Sequence, residues 1–326
     1  MKAVQINSYG GTEVLEVNES VPKPTLKPGQ VLVEVHAASL NPIDWKTRVG
    51  FLKAFAPLQF PATLGGDFAG VVMEVGPSAD GFKIGPPASF NAKHLRAGDE
   101  VYGSAIIFNG GTGAFAELTA SNAANAAQKP KSVDFIQAAA LPLVGTSAIQ
   151  ALEDTIKLQS QQKILIHGGA GGIGHIAVQL AKALGAYVAT TVSGDDKAFV
   201  KSLGADEIID YKKQKFEEIL KDFDAVFDMV GGETTDKSFK VLKKSGVLVS
   251  MAGKPNEELA KKYGVTAIGQ NTVTNTKLLE HLAELVDSGK IKVHVDKVFP
   301  LESVKEAFTY QEQSHPRGKV VINVKE

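Results

Sequence analysis

The chain contains no cysteine. That excludes disulfides, iron–sulfur clusters, a thiol nucleophile and any thiolate-bound zinc. Seven histidines are present, His36, His94, His167, His175, His281, His294 and His315, but no two stand four residues apart and no HExxH occurs. A metal site is therefore not expected. An excess of one charge is missing too, since 35 basic and 36 acidic residues leave a net charge of −1. Nothing electrostatic favours nucleic acid or an anionic membrane as partner. No apolar run approaches the roughly 18 residues of a membrane span. The start, MKAVQINSYGG, has no basic region leading into an apolar one, so no secretory signal is read. These absences lead to the expectation of a cytoplasmic protein acting on a small molecule.

What is present is ordinary globular material, 44% apolar and 22% charged over 326 residues, enough for two domains. The first third alternates apolar and polar residues in short runs, with Val31, Val33 and Val35 on one face of GQVLVEVHAASLN, which predicts β structure. Residues 81–98 interrupt it with two prolines and mixed polarity, and read as an exposed excursion. From about residue 125 the rhythm changes. KILIH (163–167), AYVATTV (186–192), DEIIDY (206–211), DAVFDMV (224–230) and GVLVSMAG (246–253) are apolar strands separated by helix-length stretches. That pattern predicts an α/β domain with a doubly wound parallel sheet. After residue 270, TKLLEHLAELVDSG predicts a helix with Leu278, Leu279, Leu282, Leu285 and Val286 on one face. A helix near 302–310 and the strand KVVINV close the chain.

Among 32 glycines, one group stands in a telling context. Gly169-Ala170-Gly171-Gly172-Ile173-Gly174 matches GxGxxG, follows the strand KILIH, and opens a helix whose Ile173, Ile176, Ala177, Leu180, Ala181 and Leu184 recur at helical spacing. Glycine there lets backbone approach a pyrophosphate, and the helix N-terminus offers unpaired N–H groups. An NAD site of this type places an acid at the tip of the next strand to hold the ribose 2′-hydroxyl. Here that tip reads Thr190-Thr191-Val192-Ser193-Gly194, with Asp195, Asp196 and Lys197 after it. A hydroxyl and a lysine suit a 2′-phosphate, so Ser193 and Lys197 point to NADPH, with the two aspartates as the counterargument.

The blocks SLNPIDWKTRVG (39–50), LGGDFAGVVMEVG (64–76), RAGDEVYG (96–103), GGTGAFAEL (110–118), AAALPLVGTSAIQAL (138–152), the glycine turn, SLGADEIIDY (202–211) and RGKVVINV (317–324) together resemble the medium-chain dehydrogenase/reductase superfamily, in its zinc-free quinone oxidoreductase branch. The resemblance covers nearly the whole chain. It implies a GroES-like β-barrel catalytic domain from 1–124 and 271–326, around a Rossmann domain from 125–270. Zinc-dependent members carry Cys near Asn41, His-Glu near Gly66-Asp67 and a further Cys near Leu141–Val144. Without them the Lewis acid for alcohol oxidation is missing. What remains is hydride transfer to an electron-poor acceptor, a quinone or the C=C of an α,β-unsaturated carbonyl.

By the same resemblance Asn41 orients the nicotinamide ribose or the substrate carbonyl, and Asp44 supports it. Lys46, in the same turn, could donate to a developing enolate or hydroquinone oxygen. Ser147 is implied to lie against the nicotinamide and Tyr211 beside the adenosine phosphate. Met229, Val230, Ala252 and Gly253 are expected to flank the cofactor at the carboxyl ends of later strands. Trp45, Phe51 and Phe55, with Phe60, are candidates to line an apolar acceptor site. A 2-enoyl thioester reductase is the alternative, but members of that kind use a tyrosine where this chain reads Val49-Gly50-Phe51. A nonenzymatic NADPH-binding redox sensor or structural protein is the alternative from another class. The resemblance also implies a homodimer built by edge-strand pairing, through GVTAIG (264–269).

Overall fold

The computed structural model describes residues 1–77 and 95–325. His94 and residues 81–94 of the expected excursion lie outside the described residues. In chain order the strands are β1 (Ala3–Ile6), β2 (Glu16–Asn18), β3 (Gln30–Ser39), β4 (Ala62–Thr63), β5 (Asp67–Val75), β6 (Glu100–Ser104), β7 (Leu118–Asn122), β8 (Ala126–Gln128), β9 (Lys163–His167), β10 (Tyr187–Val192), β11 (Glu207–Asp210), β12 (Phe223–Asp228), β13 (Leu242–Ser250), β14 (Thr266–Gly269), β15 (Val295–Pro300) and β16 (Lys319–Asn323). They belong to two compact units, one formed by Met1–Leu143, Thr274–Asp287 and His294–Glu326, the other by Val144–Val273 and Ser288–Val293.

The first unit is mostly antiparallel β. Its larger sheet has the order β15-β16-β3-β5-β6-β8, with β7 also paired to β3, and a small sheet runs β2-β1-β4. The strand β3 is central and is buried along nearly its whole length. Strict alternation therefore understates it, because Leu32 is as buried as Val31 and Val33. Two helices extend this β framework. The short α1 (Pro42–Arg48) leaves β3 through Leu40 and Asn41, with proline at its first position. Next, α2 (Phe135–Ala139) buries Ala138 and Ala139, and Phe135 packs on the His36 ring at 4.2 Å. That packing carries residues 125–143 into the first unit, so the join falls at Leu143 and not at the expected 124. The predicted helix Thr276–Asp287 buries Leu279, Leu282, Leu285 and Val286, while Leu278 is only half-buried.

The second unit holds a six-stranded sheet of order β11-β10-β9-β12-β13-β14, parallel throughout. Counted within the unit this is 3-2-1-4-5-6, the dinucleotide-binding order, with its topological switch between β9 and β12. A helix α3 (Pro142–Ile149) leads toward it, and α4 (Gly172–Ala183) follows β9. Ile176, Ala177, Leu180 and Ala181 of α4 are fully buried, as the spacing predicts. Ile173 is only partly buried, because it stands in the first turn beside the glycine loop. Among the described residues no helix is long and apolar enough to cross a membrane.

Candidate functional site

The glycine turn lies at the carboxyl end of β9, beside the switch in strand order. Its glycines serve different purposes. A Cβ on Gly174 would stand 2.1 Å from Gly168 O and 2.8 Å from Gly169 Cα, so backbone packing alone demands glycine there. One on Gly169 would collide with Thr190 Oγ1 at 2.1 Å. At Gly171, the residue preceding α4, a Cβ would meet only Gly168 O, at an ordinary 3.5 Å. The open space there sits against the first turn of α4, whose N–H groups have no partner inside the helix. This is a cradle suited to a pyrophosphate.

Beneath the turn lies a buried network that no sequence motif announces. The His167 ring stands 3.0 Å from Thr191 Oγ1 through Nδ1 and 2.9 Å from Ser238 Oγ through Nε2. Ser238 donates its own proton to Thr234 O, so the network assigns the ring proton to Nε2 and makes Nδ1 the acceptor from Thr191. Thr191 in turn accepts from the N–H groups of Gly168 and Gly169. Burial pushes the His167 imidazole down to about 4, against the pull of Asp228 and Glu217. The ring is thus neutral when folded and titrates near 6.5 when unfolded. Stability from this group is present above pH 6.5 and is lost as the pH falls toward 4, by up to about 3 kcal/mol. Urea unfolding between those values should show a steeper acid loss in the wild type than in His167→Gln; equal slopes would refute the assignment.

The other expected cofactor residues stand at the carboxyl ends of the same sheet. Met229 and the exposed Val230 follow β12, where Asp228 accepts from the N–H groups of Val230 and Gly231. Ala252 and Gly253 follow β13 and are exposed. A Cβ on Gly231 would touch the Ala252 methyl at 2.6 Å, so these two tips adjoin. Tyr211, exposed, follows β11. Ser147, on α3, is fully buried, its hydroxyl 2.6 Å from Thr272 Oγ1. The acids after β10 come closer than linear spacing suggests. Ser193 donates to Asp196 at 2.7 Å, and the half-exposed Lys197 stands 3.8 Å from the buried Asp210 carboxylate.

The first unit carries a separate polar cluster. Asn41, expected to face a ligand, is buried and turned inward. Its Nδ2 donates to Asp67 Oδ2 at 2.8 Å, and its Oδ1 accepts from Lys319 Nζ at 2.5 Å. Lys319 Nζ also donates to Leu40 O, and Asp67 Oδ2 accepts from Leu143 N–H. Asp44 closes the first turn of α1 by accepting from Asn41 N–H at 2.7 Å. Burial pushes its carboxyl up to about 7, helped by the nearby Asp67 charge and opposed by the N–H groups of Asn41 and Gly66 and by Lys319. Burial likewise raises Asp67, and it lowers the Lys319 ammonium to about 8 against the attraction of both carboxylates.

Around this cluster the structure separates residues that are neighbours in sequence. Trp45 packs on the core of the unit, with Lys46 Nζ 5.7 Å above its ring. Phe51 and Phe55 are 70% and 90% exposed, and Phe60 packs edge-on to Tyr9, so the four aromatics do not share one environment. A narrow crevice of about 10 Å³, the room of a single water, opens instead between Asp44, Thr47, Leu64, Gly65, Ile106, Ile107 and Phe108. A shallower surface groove along Lys297, Phe299, Lys305 and Tyr310 includes none of the predicted residues.

Sequence reasoning misses Asp67 and Lys319 as site residues, although both lie in blocks that carry the family resemblance. The available signal was a lysine opening the apolar run KVVIN, where neither face of the strand is solvated.

With this geometry established, the comparisons decide the family. The alcohol dehydrogenase GroES-like domain family matches residues 27–131 and the zinc-binding dehydrogenase family residues 203–322. An NADPH-dependent alkenal/one oxidoreductase of Arabidopsis thaliana is 38% identical over 99% of this chain and 79% of its own length. The chain belongs to the quinone oxidoreductase branch of the medium-chain dehydrogenase/reductase superfamily. The quinone oxidoreductase of Coxiella burnetii superposes with a TM-score of 0.87 at 35% identity, covering 100% of this chain and 99% of its own. Escherichia coli quinone oxidoreductase in complex with NADPH does so with a TM-score of 0.83 at 28% identity, covering 99% and 100%. The fold is accordingly GroES-like plus Rossmann, and the chain is an oxidoreductase. Zinc does not suit the residues present. The chain offers no cysteine, the described residues hold no cluster of three His, Asp or Glu, and the Asn41 amide bridges the Asp67 carboxylate and the Lys319 ammonium.

Proposed function

We propose that this chain is an NADPH-dependent reductase that passes a hydride to a quinone or to the C=C of an α,β-unsaturated carbonyl. The observation that carries the cofactor part is the open cradle at Gly171, where the glycine is demanded by no neighbouring protein atom. Gly169, Ala170, Gly171, Gly172, Ile173 and Gly174 would hold the pyrophosphate against the start of α4. Ser147, Met229, Val230, Ala252 and Gly253 would line the nicotinamide half, with Tyr211, Ser193 and Lys197 at the adenosine half. For Lys197 to meet a 2′-phosphate it must exchange its loose 3.8 Å pairing with Asp210 for a stronger one. The cofactor supplies the hydride, the difficult part of the chemistry.

The protein's own part is to orient the acceptor and to manage charge on its oxygen. Asn41 and Asp44, with Lys46 beside them, are the polar groups for that task. Asp44 and Thr47 open onto a narrow crevice with Leu64, Ile106, Ile107 and Phe108, and its room of about 10 Å³ would have to widen for an acceptor to enter. We also assign the dimer contact to β14, which is the edge strand of the second unit's sheet.

The test is oxidation of NADPH, and of NADH in parallel, with 9,10-phenanthrenequinone, 1,4-benzoquinone, 2-alkenals and a crotonyl thioester. Turnover of quinones or alkenals with preference for NADPH is the expected result. Preference for the thioester would overturn the acceptor assignment, and binding of NADPH without any turnover would indicate a nonenzymatic role.

A further inference from the structure

Glycine follows asparagine at one place in this chain, Asn109-Gly110; every other asparagine precedes a residue with a side chain. Asparagine is among the thermolabile residues. Its amide is lost when the backbone nitrogen of the next residue reaches its side-chain carbonyl carbon. A glycine in that position puts no Cβ in the way and leaves the backbone free to turn.

The fold leaves both reacting groups available. Asn109 is exposed and ends the short 3₁₀ turn Ile107–Asn109, between β6 and β7. Among the described residues its side-chain amide has no hydrogen-bond partner, and neither does the N–H of Gly110. Gly110 has φ +79°, the left-handed region that glycine enters without strain. One hydrogen bond holds the peptide between the two residues, from Asn122 Nδ2 to Asn109 O at 2.7 Å, and it is exposed. Asn7, which precedes the small Ser8, gives the contrast. It is exposed as well, but its Nδ2 donates to Glu16 Oε2 at 3.0 Å.

The chain after this turn is fixed. A Cβ on Gly111 would stand 2.0 Å from Ala105 O, and one on Gly113 2.3 Å from Thr63 O. Gly110 O accepts from Gln30 Nε2 at 2.6 Å, while the N–H groups of Gly111 and Gly113 donate to Ile106 O and Ala105 O. On the other side come Ile107 and Phe108, which line the narrow crevice beside Asp44 and Thr47. Ile107 also packs on the core cluster that Trp45 joins. A change in backbone length at Asn109 is therefore passed to the wall of the crevice.

We propose that Asn109-Gly110 is a site of spontaneous deamidation in the folded protein, and that its isoaspartate product distorts the crevice wall at Ile107 and Phe108. The Gly110 nitrogen gives up its proton to solvent and bonds to Asn109 Cγ. The Cγ–Nδ2 bond breaks, and ammonia leaves with a proton returned by solvent, closing a cyclic succinimide. Water then opens the ring. Breaking the bond from the ring nitrogen to Cγ gives aspartate, with the backbone as before. Breaking the bond to the backbone carbonyl carbon gives isoaspartate, in which the main chain runs through the former side chain and is longer by one carbon. Both products add a negative charge next to Phe108. Only isoaspartate lengthens the turn, and the pinned Gly111 and Gly113 leave Ile107 and Phe108 to take up the difference.

The test is incubation of the folded protein at mildly alkaline pH, read by peptide mass spectrometry and by enzymatic methylation of isoaspartate carboxyls. Asn109 should lose its amide before any other asparagine, Asn7 included, and Asn109→Gln should not show the change. Asn122→Ala frees the peptide and should react about 5-fold faster than the wild type, the scale of one net hydrogen bond. In denaturant the two should react at one rate. An Asn109 that keeps its amide as long as Asn7, or an Asn122→Ala variant that gains nothing when folded, overturns the site. Thermal melts test the consequence. Asn109→Asp should melt as the wild type does, whereas the isoaspartate form, separated by chromatography, should melt lower. Equal melting of those two forms overturns the distortion of the crevice wall. None of these readouts needs turnover, so they stand whatever becomes of the reductase reading.

Discussion

Replacing Gly171 by valine is expected to weaken NADPH binding about 100-fold, the scale of losing two hydrogen bonds to a charged ligand, while leaving the protein as stable as before. Gly171 has φ −77° and ψ −176°, an extended backbone that valine adopts readily. Its missing side chain faces open space. Gly174→Val should behave differently. There the added carbon would overlap the backbone of Gly168 and Gly169, which cannot move aside without opening the turn. A loss of about 3 kcal/mol or more is expected, the upper end of overpacking effects, together with loss of binding. Fluorescence titration with NADPH and thermal melts on both variants separate the two roles. If Gly171→Val binds NADPH as the wild type does, the cradle is not where the pyrophosphate rests. If it unfolds, the distinction between the glycines fails.

The second large effect is expected at Asp67. Truncation to alanine removes the carboxylate whose charge acts on Lys319 and takes an acceptor away from Asn41 Nδ2 and from Leu143 N–H. An ammonium left buried without its counter-ion destabilises by about 3–5 kcal/mol. The sign of the pH dependence is set by the same charge. Lys319 already sits near 8, and without Asp67 its burial goes less opposed, so its folded value falls further. A neutral amine is cheaper to bury than a charged one, so Asp67→Ala should recover part of its stability as the pH rises from 6 to 9. Chemical unfolding at several pH values measures this. A variant that is destabilised equally at pH 6 and pH 9 would show that the lysine charge is not the cause.

These two expectations also mark where sequence reasoning reaches its limit. The glycine turn is legible along the chain because every part of it is local. Strand, loop and helix are consecutive, and the stripe Ile176, Ala177, Leu180 and Ala181 repeats at a fixed spacing. The parallel sheet is legible for the same reason, as five apolar strands with helix-length gaps. What spacing cannot tell is which glycine serves the fold and which the ligand. That depends on Thr190 and Gly168, atoms brought near by folding.

The cluster in the first unit shows the opposite case. Asn41 and Asp44 stand out in the sequence, but the partners of Asn41 are 26 and 278 residues away from it. No periodicity links β3, β5 and β16; only their adjacency in the sheet does. The inward turn of Asn41 follows from that adjacency, because a buried amide must satisfy its hydrogen bonds with whatever the neighbouring strands present. The aromatic run fails as a single site because Trp45 lies in a helix whose face meets the core, whereas Phe51 and Phe55 come after it in exposed turns. Ser193 and Lys197 look like free groups along the chain, yet folding places Asp196 and Asp210 beside them.

Sequence alone therefore determined the two-domain composition, the parallel sheet, the glycine-rich turn from strand into helix and, through the absence of cysteine, the exclusion of thiolate zinc. Each of these is carried by residue type or by short-range spacing. Tertiary structure alone decided the burial of Lys319 against Asn41, the neutral His167 under the glycine turn and the crevice beside Asp44. All three arise where distant strands meet. Charge, hydrogen bonding and empty space at such places depend on three-dimensional distance, which the order of residues does not contain.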